Sequence, residues 1–254
     1  MKKKEVIIFG SSGGLGLELV RVFLKNNYRV ICICSSKKKV KSLKKNLNFS
    51  KQCEFKICDL ARKRDVNNFK KFIKNRSKNV ELIVFASATL TVSKFSEIPI
   101  KNFNNDIQIN ALSFIEIFRE FIKYKKKLYV NAIIILSNTS IVGIKNFSSY
   151  CISKSILERF VESISDEIKN SNFLLVYPGP MKTQFDDNAK VINKSFNYKL
   201  NNKRSLPHNV AKKIFRYYLL KKKYLFFKLT TRILYIIKGL SPTYLSKIIN
   251  YIYK

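Results

Sequence analysis

Glu5-Val6-Ile7-Ile8-Phe9-Gly10-Ser11-Ser12-Gly13-Gly14-Leu15-Gly16 is the stretch on which the architecture turns. A short apolar run of β type stops at a cluster of glycines, and beyond it Leu15, Leu19, Val22 and Phe23 recur at helical spacing. The pattern predicts a strand, a tight turn and a helix in immediate succession. The chain has only 7 glycines, and Gly10, Gly13, Gly14 and Gly16 all fall inside this window. Such crowding suits a backbone that must turn sharply, come bare against a pyrophosphate and let the helix pack close to the strand. The helix would then aim its amide end at the phosphates.

Working outward, Tyr28 to Cys34, Cys53 to Cys58, Leu82 to Ala86, Ala132 to Leu136 and Phe173 to Tyr177 read as further strands. They are continuous apolar runs, as strands covered on both faces require. Lysine-rich helical segments lie between them, among them Asp65 to Asn75, Asn110 to Tyr124 and Ser148 to Lys169. Strands alternating with helices imply an α/β fold, a doubly wound parallel sheet. From Lys212 onward the chain changes character: Tyr217 to Leu220, Tyr224 to Phe227 and Ile233 to Ile237 alternate with Lys221 to Lys223, Lys228, Arg232 and Lys238, without an acidic residue. We therefore expect a catalytic domain over 1–211 and a basic, aromatic, helical C-terminal extension over 212–254. Such an extension either lies at a membrane interface or packs on the sheet or a subunit partner with a solvated basic face.

A chain of 254 residues that is 46% hydrophobic fills one core. Its formal charge of +34 would attract polyanions, yet no nucleic-acid-reading motif accompanies it, and biased genomic nucleotide content would also enrich lysine, asparagine, isoleucine and phenylalanine. A specific nucleic-acid partner is not expected. The cysteines, Cys32, Cys34, Cys53, Cys58 and Cys151, form no CxxC pair, and His208 is the lone histidine, so no metal site is expected and the thiols suit a reducing compartment. The basic N-terminus precedes an apolar run too short for a signal peptide. No apolar stretch approaches the length of a spanning helix. A cytoplasmic protein, or one resting against a membrane surface, is expected.

Ser149-Tyr150-Cys151-Ile152-Ser153-Lys154 opens a predicted helix, and residues four apart share a helical face. A fixed ammonium beside a phenol favours the phenolate and draws its pKa down from about 10. Tyr150 could then exchange a proton with an alcohol or carbonyl oxygen while hydride moves to or from a nicotinamide. The spacing alone arises easily in a chain rich in tyrosine and lysine. Its place just beyond the fifth strand, at the carboxyl edge of the sheet, gives it weight. After the second strand comes Cys34-Ser35-Ser36-Lys37-Lys38-Lys39, with no carboxylate for ribose hydroxyls, so NADP is favoured, with NAD still open.

Gly10-x-x-x-Gly14-x-Gly16 resembles the TGxxxGxG motif of short-chain dehydrogenases/reductases, with Phe9 in place of threonine, and Tyr150-x-x-x-Lys154 matches that family's YxxxK. The resemblance covers roughly the first 185 residues and implies a Rossmann-type fold, a small carbonyl/alcohol substrate and a homo-oligomer. It also implies roles. Asn110 would support a proton-relay water, Asp59 would bond the adenine amino group, and Pro178-Gly179 followed by Thr183 would meet the nicotinamide. Gly10, Ser12, Gly14, Leu15 and Gly16 would cradle the cofactor, with Tyr150 and Lys154 touching it as well. The catalytic serine is Ser137, at the strand end, or Ser140; a rigid strand end favours Ser137. Where the family reads NNAG, this chain has Phe85-Ala86-Ser87-Ala88. That departure keeps a second reading open, a binding-competent sensor or scaffold without turnover. Asp186 to Leu206 would form a substrate lid, and the C-terminal extension suggests a lipophilic substrate.

Overall fold

The computed structural model describes residues 3–47, 51–125, 129–168, 170–192 and 204–241. Its main sheet has seven parallel strands in the order β3-β2-β1-β4-β6-β7-β9. They are β1 (Glu5–Phe9), β2 (Arg29–Cys34), β3 (Cys53–Ile57), β4 (Val80–Phe85), β6 (Val130–Ile135), β7 (Ser171–Tyr177) and β9 (Tyr224–Phe226). β5 (Thr91–Val92) and β8 (Lys190–Val191) form a separate parallel pair. The α-helices are α1 (Gly14–Lys25), α2 (Lys37–Asn46), α3 (Lys63–Arg76), α4 (Ile100–Ile107), α5 (Ser113–Lys125), α6 (Asn138–Ile141), α7 (Ser148–Ser165), α8 (Pro207–Leu219) and α9 (Leu229–Leu240).

The continuous apolar strands have the expected cause. Alternate residues serve opposite faces, so Ile7, Phe9, Ile83 and Phe85 pack toward α3, α5 and α7, while Val6, Ile8, Leu82 and Val84 pack toward α1 and α8. In register, Phe9 stands between Ile33 and Phe85. Chain direction across the sheet reverses between β1 and β4, and the carboxyl ends at that reversal frame a crevice in which ligands of open α/β sheets sit.

The C-terminal region departs from the expectation in one respect. The boundary at 211/212 falls inside α8, and Tyr224-Leu225-Phe226, grouped by its basic flanks with an amphipathic extension, is the seventh strand. Leu225 is fully buried against the α1/α8 layer, whereas Tyr224 and Phe226 pack on the opposite face. Period-2 burial on both faces is strand chemistry. Only α9, among the described residues, lies beyond the sheet as a helical extension. The stretch after Ser241, including Pro242, lies outside the described residues.

Candidate active site

The glycine loop is set by close backbone approaches. Gly10 adopts φ +75°, and a Cβ there would stand 2.8 Å from the Ala86 carbonyl and the Ser87 nitrogen. At Gly16 a Cβ would come within 2.0 Å of the Gly10 oxygen, so the first turn of α1 packs straight onto the loop. Gly13 N–H donates to the Gly10 carbonyl at 2.9 Å. Fully buried Ser11 ties the loop to the sheet: its hydroxyl donates to Ile8 O at 2.5 Å and accepts from Ile33 N at 3.1 Å. Gly13 and Gly14 remain exposed as bare backbone. No side chain caps α1 and no acid occupies its first turn, so its terminal amides are open to an anion. Leu15 sends its side chain into the core, leaving only its backbone for a ligand. Ser12 lies beside the Cys34 thiol, whose pKa burial pushes up and Ser12 partly restrains.

These features fit a dinucleotide: a cradle free of side chains, ending on an open helix terminus. At the end of β2, Ser36 caps α2 by accepting from Lys39 N at 3.3 Å, and Lys37 to Lys39 form a first turn without acids. Asp59, past β3, is half-buried, accepts from Ala61 N at 3.1 Å and pairs with Arg62 at 3.3 Å.

Across the crevice, the first turns of α7 bring Tyr150 and Lys154 to one face, with the ammonium 5.7 Å from the ring centroid. Lys154 is 1% exposed and donates to Ile135 O at 2.9 Å; burial pushes its pKa down to about 7. Burial also raises the Tyr150 phenol above its ordinary range, opposed by a hydrogen bond with the Ser137 hydroxyl. The simple expectation of an ammonium drawing the phenol down is thus not met here, because desolvation penalises the charged form of both groups and moves them apart. Of the two serines, Ser137 caps α6 by accepting from Thr139 N at 3.3 Å and faces Tyr150. Ser140 is turned away, its hydroxyl donating to Ser137 O at 2.8 Å.

Asn110 sits in a π turn, Gln108–Leu112, between α4 and α5. It is fully buried; its amide donates to Thr89 O at 2.9 Å and Ser153 Oγ at 3.1 Å, and its oxygen accepts from Thr89 N at 2.7 Å. One helical turn earlier lies a residue the sequence reading passed over. Asp106, 2% exposed, accepts from Thr89 Oγ1 at 2.8 Å, Thr91 N at 3.0 Å and Ser149 Oγ at 2.7 Å. It therefore couples the loop after β4 to the residue preceding Tyr150. An acid one turn before Asn110, in a chain with only 16 acids, was the available signal.

The segment expected to form a lid, Asp186 to Leu206, is partly described. Lys190 N and Ile192 N donate to Leu90 O and Val92 O at 2.8 and 3.1 Å, docking β8 on β5. Phe185 packs on Tyr150 with ring centroids 5.8 Å apart, within a small apolar cluster that includes Leu90 and Val92. Arg204 pairs with Asp186 at 2.8 Å, joining the two ends of this segment; residues 193–203 lie outside the described residues. Pro178 is buried, Gly179 adopts φ +67°, and Thr183 lies over the glycine loop, where a Cβ on Gly14 would meet its Cγ2 at 2.7 Å. Sequence-predicted residues from β1, β4, β6, α7 and the segment after β7 thus converge on one crevice, with Asp59 farther along the sheet edge. A separate open groove on α8, lined by Asn209, Lys212, Lys213, Arg216, Tyr217, Leu220 and Lys222, contains none of them.

Fold and crevice together define a protein of the Rossmann-type parallel α/β class. Residues 4–191 match the family model for short chain dehydrogenases, and the chain belongs to that family. It is 24% identical over 199 residues to the dehydrogenase/reductase SDR family protein 7-like of Dictyostelium discoideum, covering 75% of this chain but 63% of that protein. It is 29% identical over 187 residues to the 3-oxoacyl-[acyl-carrier-protein] reductase FabG of Rickettsia typhi, covering 72% and 75%. A short-chain dehydrogenase from Burkholderia cenocepacia, solved in complex with NADP, superposes with a TM-score of 0.80 over 98% of each chain at 14% identity.

Proposed function

We propose that this protein is an NADPH-dependent carbonyl reductase acting on a ketone carried by an acyl chain. The observation that carries the reading is the gathering of Tyr150, Lys154 and Ser137 in one buried corner beside a side-chain-free glycine loop. Gly10, Ser12, Gly14, the Leu15 backbone, Gly16, Asp59, Pro178, Gly179 and Thr183 would hold the dinucleotide, and the absence of a carboxylate at Ser35 to Lys39 favours NADPH over NADH. When bound, the cofactor supplies the hydride. Ser137 orients the carbonyl oxygen by hydrogen bonding, and Tyr150 delivers the proton that completes the alcohol. Lys154, its pKa pushed down to about 7, supplies the adjoining positive charge in its protonated form, and Asn110 fixes the loop around it. The acyl-chain character of the substrate is supported by the 3-oxoacyl reductase resemblance and by the apolar cluster of Leu90, Val92 and Phe185 over Tyr150.

Tyr150→Phe tests the reading. Ketone-dependent NADPH oxidation should fall by about 10²- to 10⁴-fold, with NADPH fluorescence titration unchanged. NADPH binding without turnover of any 3-oxoacyl thioester by the native protein would favour the sensor reading, which the altered Phe85-Ala86-Ser87-Ala88 segment motivates.

A further inference from the structure

α9 carries two apolar faces, and the fold uses only one. Leu234, Tyr235 and Ile237 pack on the core, Thr231 is wholly buried, and its hydroxyl donates to Asn138 Oδ1 at 3.1 Å. On the opposite side Leu229, Ile233, Ile236 and Leu240 are 71%, 46%, 52% and 82% exposed. Their spacing, i, i+4, i+7 and i+11, places them within about 60° of arc at 100° per residue. That outer stripe is interrupted by no polar residue, and exposed Arg232 runs along its flank.

We infer that this outer face of α9 docks into the surface of an anionic phospholipid bilayer. Charge selects this occupant over a second copy of the chain. From Lys228 to Ser241 the charged residues are Lys228, Arg232 and Lys238, with no aspartate or glutamate, in a chain of net charge +34, so apposing two copies sets like fields against each other, whereas an anionic surface meets both the positive field and the apolar stripe. With 12 residues, α9 is about 18 Å long, short of the roughly 30 Å hydrocarbon core. No helix among the described residues is long and apolar enough to cross a membrane, so the contact is one of lying in the interface. Placement adds a consequence. α9 begins beside the site, with the Lys228 side chain against Gly179 and Thr231 bonded to Asn138, the neighbour of Ser137. A docked α9 therefore holds the reductase crevice near the membrane surface.

The test is co-sedimentation of the full chain, without cofactor or substrate, with vesicles of phosphatidylglycerol and phosphatidylcholine, against vesicles of phosphatidylcholine alone. The native protein should sediment with the anionic vesicles. Ile233→Ser/Ile236→Ser, which removes apolar depth without altering charge, should lower the partition about tenfold or more. Leu229→Ser/Leu240→Ser, at the two most exposed positions, should do the same where folding of the first variant is in question. Equal partition of folded variants and native protein overturns the inference, because charge alone would then suffice. So does failure of the native protein to bind, or light scattering that shows a dimer which the serine variants dissociate. Because the readout needs no catalysis, loss of the reductase reading would leave this result intact, and the reverse also holds.

Discussion

The two ends of one sheet are built from different chemistry. At the amino ends of the strands, acids meet bases: Glu5 takes a two-pronged contact from Arg76 at 2.9 and 2.7 Å, Glu54 pairs with Arg29 at 3.2 Å, and Glu81 with Lys4 at 3.0 Å. At the carboxyl ends around Tyr150, the buried carboxylate of Asp106 meets hydroxyls and a backbone amide, and the buried ammonium of Lys154 meets a carbonyl. The lower end spends its few carboxylates on cancelling charge. The upper end has ion pairs only at its margins, Asp59 with Arg62 and Asp186 with Arg204, and holds its buried Asp106 and Lys154 with neutral partners, which is where a charge developing in a reaction can still be answered by the protein.

The comparison can be broken most severely at the glycine loop. Gly16→Ala places a methyl against the Gly10 oxygen, a backbone atom that cannot step aside, and should cost more than about 3 kcal/mol or abolish soluble protein. Gly14→Ala, whose new methyl meets the side chain of Thr183, should cost clearly less in the same urea titrations.

Lys154 sharpens the contrast through pH. Its native pKa, pushed down to about 7, lies below the ordinary value of 10.5. Between those values the unfolded chain holds a proton that the native protein lacks. Stability should therefore rise as pH increases from about 7 toward 10.5, and the cost should be fully present below that window. Lys154→Met should flatten this rise by a few kcal/mol, read from denaturation at a series of pH values.

Asp106→Asn keeps the shape but not the acceptor pattern. It should lower kcat by about 10- to 100-fold while NADPH affinity stays nearly constant, and Ser149→Ala should reproduce part of the loss. A rise in KM or a fall in affinity without a fall in kcat would show that Asp106 only props the loop. Arg76→Met, at the opposite end, should cost about 1–2 kcal/mol of stability and leave kcat unmoved; a catalytic effect there would dissolve the distinction between the two ends.

Much of the crevice was legible because its signals are local. Gly10 is demanded by its own φ of +75° and Gly16 by backbone contact with Gly10 in the same loop, and Tyr150 and Lys154 share a face by helical geometry alone. Asp106 was legible only as a scarce acid one turn before Asn110; its role was not, since its partners Thr89, Thr91 and Ser149 come from a loop and a helix distant in sequence. Tyr224 to Phe226 misled because flanking lysines suggest an amphipathic helix, whereas a sheet edge needed a strand apolar on both faces. Ser137 and Ser140 lie one turn apart, and only the packing of α6 turns one toward Tyr150 and the other toward Ser137 O.

Sequence by itself determined the parallel α/β sheet, the glycine turn and the tyrosine-lysine pair, because strand periodicity, glycine's missing Cβ and the helical repeat act between near neighbours. Tertiary structure alone decided the seventh strand, the Asp106 cluster, the docking of β8 over Tyr150 and the orientation of the two serines. Each of these depends on which distant segments share a buried volume, and on desolvation, which exists only once that volume has closed.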